Sequence, residues 1–322
     1  MMRRVGRVVV ALAVLSAATA FAQQPAQLRR VAVIAFGSAQ SDSNVTAIVE
    51  GLRELGYVES RLAIDVRYAD GRPERVRDLA VDAAASRPDV IVALGGDVVP
   101  YVQQATRTIP IVMLTSNDPV QAGTVQSYAR PGGNTTGVAF VAVETATKRL
   151  QYLHEAVPAI TRVAVLWNPD HPDGEYPDIR AAARKLGIEV TSVEVRRPED
   201  FDAALGAAAQ ARTEALMVVS SRLLRVNQAR IQDWATRQRI PLVSGWGPWA
   251  DSGALLSYGP DLDALTRRAA SQVDRILKGA RPGDVPVEQP TRFELIVNLK
   301  AARQLGIVVP PRLLDRADRV IR

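Results

Sequence analysis

The 322-residue chain carries one succession of landmarks twice, and that repeat limits its possible folds more than any other feature. Arg30-Val31-Ala32-Val33-Ile34 returns as Arg162-Val163-Ala164-Val165-Leu166. Leu55-Gly56, an alternating stretch and Arg72-Pro73-Glu74 return as Leu186-Gly187, an alternating stretch and Arg197-Pro198-Glu199. Pro88-Asp89 before the apolar run Val90 to Leu94 is echoed by Thr213-Glu214 before Ala215 to Val219. Ile109-Pro110-Ile111-Val112 is echoed by Ile240-Pro241-Leu242-Val243. The offsets stay between 125 and 132 residues. Solenoid units span about 20–50 residues, so this period is a whole α/β lobe. Two copies of an open lobe that face each other enclose a cleft, and a cleft is where a small molecule can be held.

The periodicity predicts buried-type strands at 30–36, 62–68, 89–94 and 110–114, and again at 162–167, 189–195, 215–219, 241–243 and 254–258. A short extended stretch is expected at 137–140. Helices are expected at 42–55, ending at Gly56, and at 73–86, with Pro73 in the first turn. Others are expected up to about Thr106 and at 144–157, 178–186, 198–211 and 223–239. Strands that alternate with helices imply parallel sheets. The tail departs from a plain duplication. It predicts an amphipathic helix over 262–278, strands at 285–287 and 293–297, and a last helix at 299–305. The fold class expected is α/β, with two similar open parallel-sheet lobes joined by a multi-strand hinge. Lobe 1 is expected to take 29–139 and 260–283, and lobe 2 140–259 and 284–322. The crossings fall near 138–141, 258–261 and 282–286.

The N-terminus reads as an export signal. Arg3, Arg4 and Arg7 precede an apolar stretch from Val8 to Phe21, and Ala20-Phe21-Ala22 predicts cleavage after Ala22, so that 1–22 is removed. The apolar stretch is short for a spanning helix, which needs about 20 residues. With no cysteine anywhere, disulfides, thiolate metal sites, a thiol nucleophile and a lipid-anchored cysteine are all excluded. A freely diffusing periplasmic protein is the expectation. The 40 basic and 34 acidic residues give +6, and loss of the three signal arginines halves that surplus. Arginine and acid alternate along helices as in 72–78, and no basic run is interleaved with aromatics, so no nucleic-acid partner is expected.

Open parallel sheets bind ligands beyond the carboxyl ends of their strands. That rule selects Gly37-Ser38, Gly95-Gly96-Asp97 and 115–118 in the first lobe, and Trp167-Asn168, Ser220-Ser221 and 244–246 in the second. Gly95 and Gly96 let backbone approach a ligand. Ser38, Ser116, Ser220 and Ser221 offer hydroxyls that donate and accept, and Asp118 accepts only. Trp246 can stack on a planar group. Asp97 reads equally as a helix N-cap, and Trp167 reads more readily as core.

The chain resembles the periplasmic substrate-binding proteins of ABC importers with the type I, leucine-binding-like fold, and within them the tryptophan/tyrosine-type branch. The resemblance rests on 51–57 (Gly51-Leu52-Arg53-Glu54-Leu55-Gly56-Tyr57), 68–75, 108–112, Asp118-Pro119-Val120, 129–137 with Arg130-Pro131-Gly132-Gly133-Asn134, 163–169, Ser257-Tyr258-Gly259-Pro260-Asp261 and 286–291. It spans essentially the whole mature chain. It implies a two-lobed binder that closes on a small molecule, possessing no cofactor, and delivers it to an ABC permease in the inner membrane. In the family, the loop matching 95–97 usually ends in threonine or serine, which suits a ligand carboxylate. Asp97 stands there instead, which speaks against an ordinary amino acid and toward a neutral or cationic ligand. The loop Ser220-Ser221-Arg222 also departs from the family's more acidic pattern, whereas Asp118 and Asn168 carry over. The candidate ligand-binding set is Ser38, Gly96, Asp97, Ser116, Asp118, Asn168, Ser220, Ser221 and Trp246.

An enzyme is not expected. The two histidines, His154 and His171, belong to no catalytic spacing, and no metal-ligand cluster or Walker motif occurs. His171 lies in a Pro-rich loop near the expected cleft. A periplasmic sensor that presents its closed form to a membrane receptor is the alternative reading, with a periplasmic enzyme behind it. A repressor of the same fold would need a DNA-binding N-terminus where the export signal stands.

Overall fold

The computed structural model describes residues 28–322, apart from 40, 41, 141, 172 and 173, so the expected signal segment lies outside the described residues. In chain order the first half runs β1 (Arg29–Ala35), α1 (Ser43–Glu54), β2 (Leu62–Tyr68), α2 (Pro73–Ala85), β3 (Val90–Leu94), α3 (Val99–Ala105), β4 (Ile111–Thr115) and β5 (Thr135–Ala139). The second half runs α4 (Val143–Ala156), β6 (Arg162–Trp167), α5 (Glu175–Lys185), β7 (Glu189–Glu194), α6 (Phe201–Gln210), β8 (Ala215–Val218), α7 (Arg222–Val226), α8 (Gln228–Gln238), β9 (Leu242–Ser244), α9 (Gly247–Asp251) and β10 (Leu256–Pro260). The tail adds α10 (Leu262–Leu277), β11 (Phe293–Asn298), α11 (Leu299–Leu305), α12 (Pro311–Asp315) and β12 (Arg319–Ile321).

The repeat is visible in the strand order. The first sheet runs β2-β1-β3-β4-β5, all parallel. The second contains β7-β6-β8-β9-β10 in the corresponding order, also parallel, and extends past β10 through antiparallel β11 to β12. The landmark Arg30 to Ile34 sits on β1 and its echo Arg162 to Leu166 on β6, each between its sheet's edge strand and the next central one.

Alternation along β1 explains the layers. Val31, Val33 and Ala35 face a core built with Ile48 and Leu52 of α1 and Leu265 and Val273 of α10. Ala32, Ile34 and Phe36 face the opposite layer with Val76 and Ala80 of α2 and Val102 of α3. Both faces of a parallel strand are covered, and such strands read as continuous apolar runs. The long tail helix α10 therefore belongs to the layer of the first sheet although it follows a strand of the second. The chain passes between the sheets three times, between β5 and α4, between β10 and α10, and ahead of β11.

Local differences from expectation have local causes. The strand expected at 285–287 is absent; Val138 and Glu288 form an isolated parallel bridge, with Ala139 N–H donating to Glu288 O at 2.9 Å. Pro286 removes a ladder donor there. The helix expected over 223–239 is two helices, broken at Asn227, whose side chain donates back to Leu223 O at 2.8 Å. That bond offers the chain an alternative to continued helix. Helix α5 begins at Glu175, three residues before the expected start, because Pro177 is tolerated in a first turn.

Candidate functional site

The carboxyl ends of both sheets converge on one cavity. From the first sheet's side it is lined by Asn44 on α1, Gly95 and Gly96 after β3, Leu114 and Ser116 at the end of β4, and Phe140 after β5. From the second come Ser220, Ser221, Arg222 and Arg225 after β8 and Trp246 after β9, with Leu262 at the start of α10. The cavity holds about 30 Å³. That suffices for about one water, whereas small-molecule clefts run to about 300–1,000 Å³. The two halves are closed onto their own side chains. A groove of about 470 Å³ meets the cavity at Arg225, Trp246 and Leu262.

Three side chains of the second half make the closure. Arg222 forms a buried ion pair with Asp42 at the entry to α1. Arg225, one helical turn on, donates to Asn44 Oδ1 at 2.8 Å and Ser43 Oγ at 2.6 Å. The i, i+3 spacing on α7 puts both guanidiniums on one face. His171 Nε2 lies 2.9 Å from Ser116 Oγ, and its Nδ1 lies 3.8 Å from Asp97 Oδ2. Desolvation and repulsion from Arg222 push Arg225 down to about 10. Burial raises the Asp97 carboxyl, but the His171 contact, the charge of His171 and then Arg222 outweigh it and hold the group below the usual carboxylate range. Asp97 is ionised at neutral pH and already engaged.

A buried prop sets the loops of the second half. Arg149 of α4 and Glu175 of α5 form an ion pair from which solvent is excluded. Glu175 Oε1 accepts the Ser220 N–H at 2.7 Å, and Arg149 Nη1 reaches Tyr258 O at 3.5 Å. A Cβ at Gly245 would overlap the Arg149 guanidinium. One pair thus holds the ends of β8, β9 and β10 in register. On the other side Gly95, at φ +133°, turns the chain after β3, and a Cβ on Gly96 would stand 2.7 Å from both Asn117 Oδ1 and Thr115 Oγ1.

Of the residues selected from sequence, Gly96, Ser116, Ser220, Ser221 and Trp246 line the cavity together. Ser38, Asp97, Asp118 and Asn168 do not. Ser38 accepts the Asp42 N–H through its carbonyl at 3.1 Å. Asp97 stands behind Gly95 and faces His171. Asp118 Oδ1 accepts the N–H groups of Val120 at 2.8 Å and Gln121 at 3.1 Å, tying a local turn. Asn168 does the same for Asp170 at 2.9 Å, and its carbonyl takes the His171 N–H, so it shapes the turn that presents the imidazole. Asp97 is also no helix cap, since α3 starts at Val99 without a side-chain cap. Trp167 is half-buried and stacks on Tyr176 at 4.3 Å. Arg222, Arg225, Asn44, Phe140 and Leu262 were not selected. Two arginines three apart, directly after a strand end, were the available signal for the first pair.

A larger groove of about 760 Å³ follows α1 and β2 on the first half alone, away from the strand ends, and gathers no polar groups from the second. Among the described residues no group of three or more His, Asp or Glu side chains is placed to hold a metal ion. No helix among them is long and apolar enough to cross a membrane.

Comparison with known proteins agrees with this geometry. Residues 30–321 match the family model for ABC transporter substrate binding protein. A tyrosine-binding protein of Clostridioides difficile (strain R20291) is 24% identical over 270 residues, which cover 83% of this chain and 77% of that protein. A Streptococcus pneumonia ABC domain in complex with L-Trp superposes with a TM-score of 0.83 at 23% identity, covering 91% of this chain and 100% of that one. A ligand-free, open substrate binding protein from Clostridium difficile superposes with a TM-score of 0.62 at 22% identity, covering 91% and 99%.

Proposed function

The chain belongs to the family of ABC transporter substrate-binding proteins, and on that premise we propose that it captures a small molecule in the interlobe cavity and hands it in closed form to an ABC permease of the inner membrane. ABC substrate-binding proteins work outside the cytoplasm, and the periplasm is the compartment proposed here, reached through cleavage after Ala22. The two bodies proposed are 29–139 with 260–283, and 140–259 with 284–322. The three connecting segments serve as the hinge. Gly96, Ser116, Ser220, Ser221 and Trp246 remain the proposed binding residues, with Arg222 and Arg225 added, whereas Ser38, Asp97, Asp118 and Asn168 do not line the cavity and are proposed only to shape the loops around it.

The observation that carries this reading is that loops at the strand ends of both sheets meet around one cavity and bond across it, Arg222 to Asp42 and Arg225 to Ser43 and Asn44. Such contacts exist only in a closed form, and a ligand that adds contacts to both halves shifts the population toward it. The better superposition on the L-Trp complex than on the open, ligand-free protein supports a closed arrangement. The signal-processed protein, isolated from periplasm and sprayed under native conditions, is expected to carry a bound small molecule that the same protein releases unchanged. Recovery of a chemically altered product would instead indicate turnover, and a protein that neither carries nor acquires any ligand from a periplasmic extract would refute capture.

A further inference from the structure

The wall of the cavity has an unbalanced chemistry. Two guanidiniums, three serine hydroxyls and Asn44 supply its polar side, and no carboxylate lines it. Asp42 and Asp97 stand outside the wall, the first paired with Arg222 and the second engaged by His171 and drawn to Arg222. Among the described residues Arg225 has no carboxylate at ion-pair distance, although the charges of Asp42 and Asp263 favour its protonated form. Among the described residues its side chain bonds only to the neutral oxygens of Ser43 and Asn44. A guanidinium carries five N–H donors, so three are left over. Ser221 is 2% exposed, and among the described residues neither its hydroxyl nor the buried Arg222 Nε has a hydrogen-bond partner. Asp42 Oδ1 and Asp97 Oδ1 are buried and unbonded as well, but their carboxylates already face Arg222 and His171. Buried polar groups in native structures are almost always bonded, so the unsatisfied donors on the cavity wall itself suit an acceptor.

The rest of the lining side chains are apolar: Leu114, Phe140, Trp246 and Leu262. Trp246 and Leu262 continue into the 470 Å³ groove, which Arg225 also lines. Of the four acids of that groove, Asp251 pairs with Arg319, Asp261 caps α10 through the Ala264 N–H at 3.0 Å, Glu294 lies 3.9 Å from Arg292, and exposed Asp263 acts on Arg225.

We propose that the ligand is a small monocarboxylate with a planar apolar body and no ammonium group, that Arg225 and Ser221 take its carboxylate, and that Trp246 and Leu262 carry its body toward the groove. This rests on the reading of the cleft as a capture site. Arginine's planar fork matches a carboxylate in two parallel bonds. An ammonium placed beside Arg222 and Arg225 would meet two like charges and no counter-charge on the cavity wall.

Calorimetric titration of the mature protein with three ring-matched sets tests this: indole-3-acetate and 4-hydroxyphenylacetate, L-tryptophan and L-tyrosine, tryptamine and tyramine. The acids are expected to bind at least about tenfold more tightly than the amino acids, and the amines not at all. Arg225→Gln should weaken acid binding by about tenfold or more, and Arg225→Lys should recover part of it, with both variants melting close to the parent. Tighter binding of an amino acid or an amine, binding by none of the six, or unchanged acid binding in Arg225→Gln each overturns the inference. Tight tryptophan binding would do so while leaving capture intact. A protein that holds no ligand of any class under native spraying would end the capture reading itself.

Discussion

Two residues show how burial turns side-chain chemistry into measurable behaviour. Glu175 is fully buried against Arg149 and holds the Ser220 N–H. Replacing one member of such a pair leaves its partner charged and uncompensated, at a cost of about 3–5 kcal/mol. Glu175→Gln should therefore lower the unfolding free energy by that amount in a denaturant titration. A loss below about 1 kcal/mol would mean that the pair does not brace the loops. Tyr57 donates to Asp274 Oδ1 at 3.0 Å. Burial first, then that hydrogen bond and the negative charge of Asp274, push the phenol from 10.0 up to about 12. The folded chain keeps this proton where the unfolded chain releases it. The stability it contributes is complete below pH 10 and is lost as pH rises toward 12. Tyr57→Phe should flatten that alkaline slope, and an ultraviolet titration should show one phenol fewer ionising near pH 12. An unchanged slope would contradict the assignment.

Among elements, α1 and α10 make a close helix–helix approach that the sequence conceals. Gly51 lies mid-helix in α1, where glycine costs up to about 1 kcal/mol relative to alanine. The reason is on the neighbouring helix: a Cβ at Gly51 would stand 2.8 Å from the Ala270 Cβ of α10. Overpacking of this kind costs about 1–3 kcal/mol and outweighs the propensity gain. Gly51→Ala should thus lower the melting temperature, and a higher one would show that the helices can separate freely. The strands were legible from their apolar runs because both faces of each central strand are covered, as for Val90 to Leu94. The division of 223–239 at Asn227 was not, because one side-chain bond to Leu223 O decides it. Neither was β12, three residues whose place is set by pairing with β11.

At the scale of the whole molecule the property at stake is the balance between open and closed. The Asp42–Arg222 pair joins the entry of α1 in the first half to α7 in the second, so on the proposed hinge it belongs to the closed form. Asp42→Asn removes one charge from it, reduces the closed population and weakens any ligand that needs both halves, since apparent affinity scales with the competent fraction. A loss of about tenfold, or about 1.4 kcal/mol, is expected, together with a larger radius of gyration for the free variant in small-angle scattering. Equal radii and equal affinity would show that the pair does not govern closure. The duplicated landmarks were enough to determine two sister sheets with one strand order, because apolar runs, proline-led helices and glycine stops act over a few residues and recur wherever the same words recur. They also placed Gly96, Ser116, Ser220, Ser221 and Trp246 at the cavity, since strand ends follow directly from strands. Only the tertiary structure decided the charge of the site. Asp97 looked from sequence like an acid offered to a ligand, yet His171 and Arg222 claim it from the other half. Arg225 lines the cavity bonded to the neutral oxygens of Ser43 and Asn44, with Asp42 and Asp263 acting on it only from beyond ion-pair distance. Which charges cancel depends on distances between residues 74 positions apart, as for Asp97 and His171, to 180 apart, as for Asp42 and Arg222, and only the packing of one half on the other fixes those.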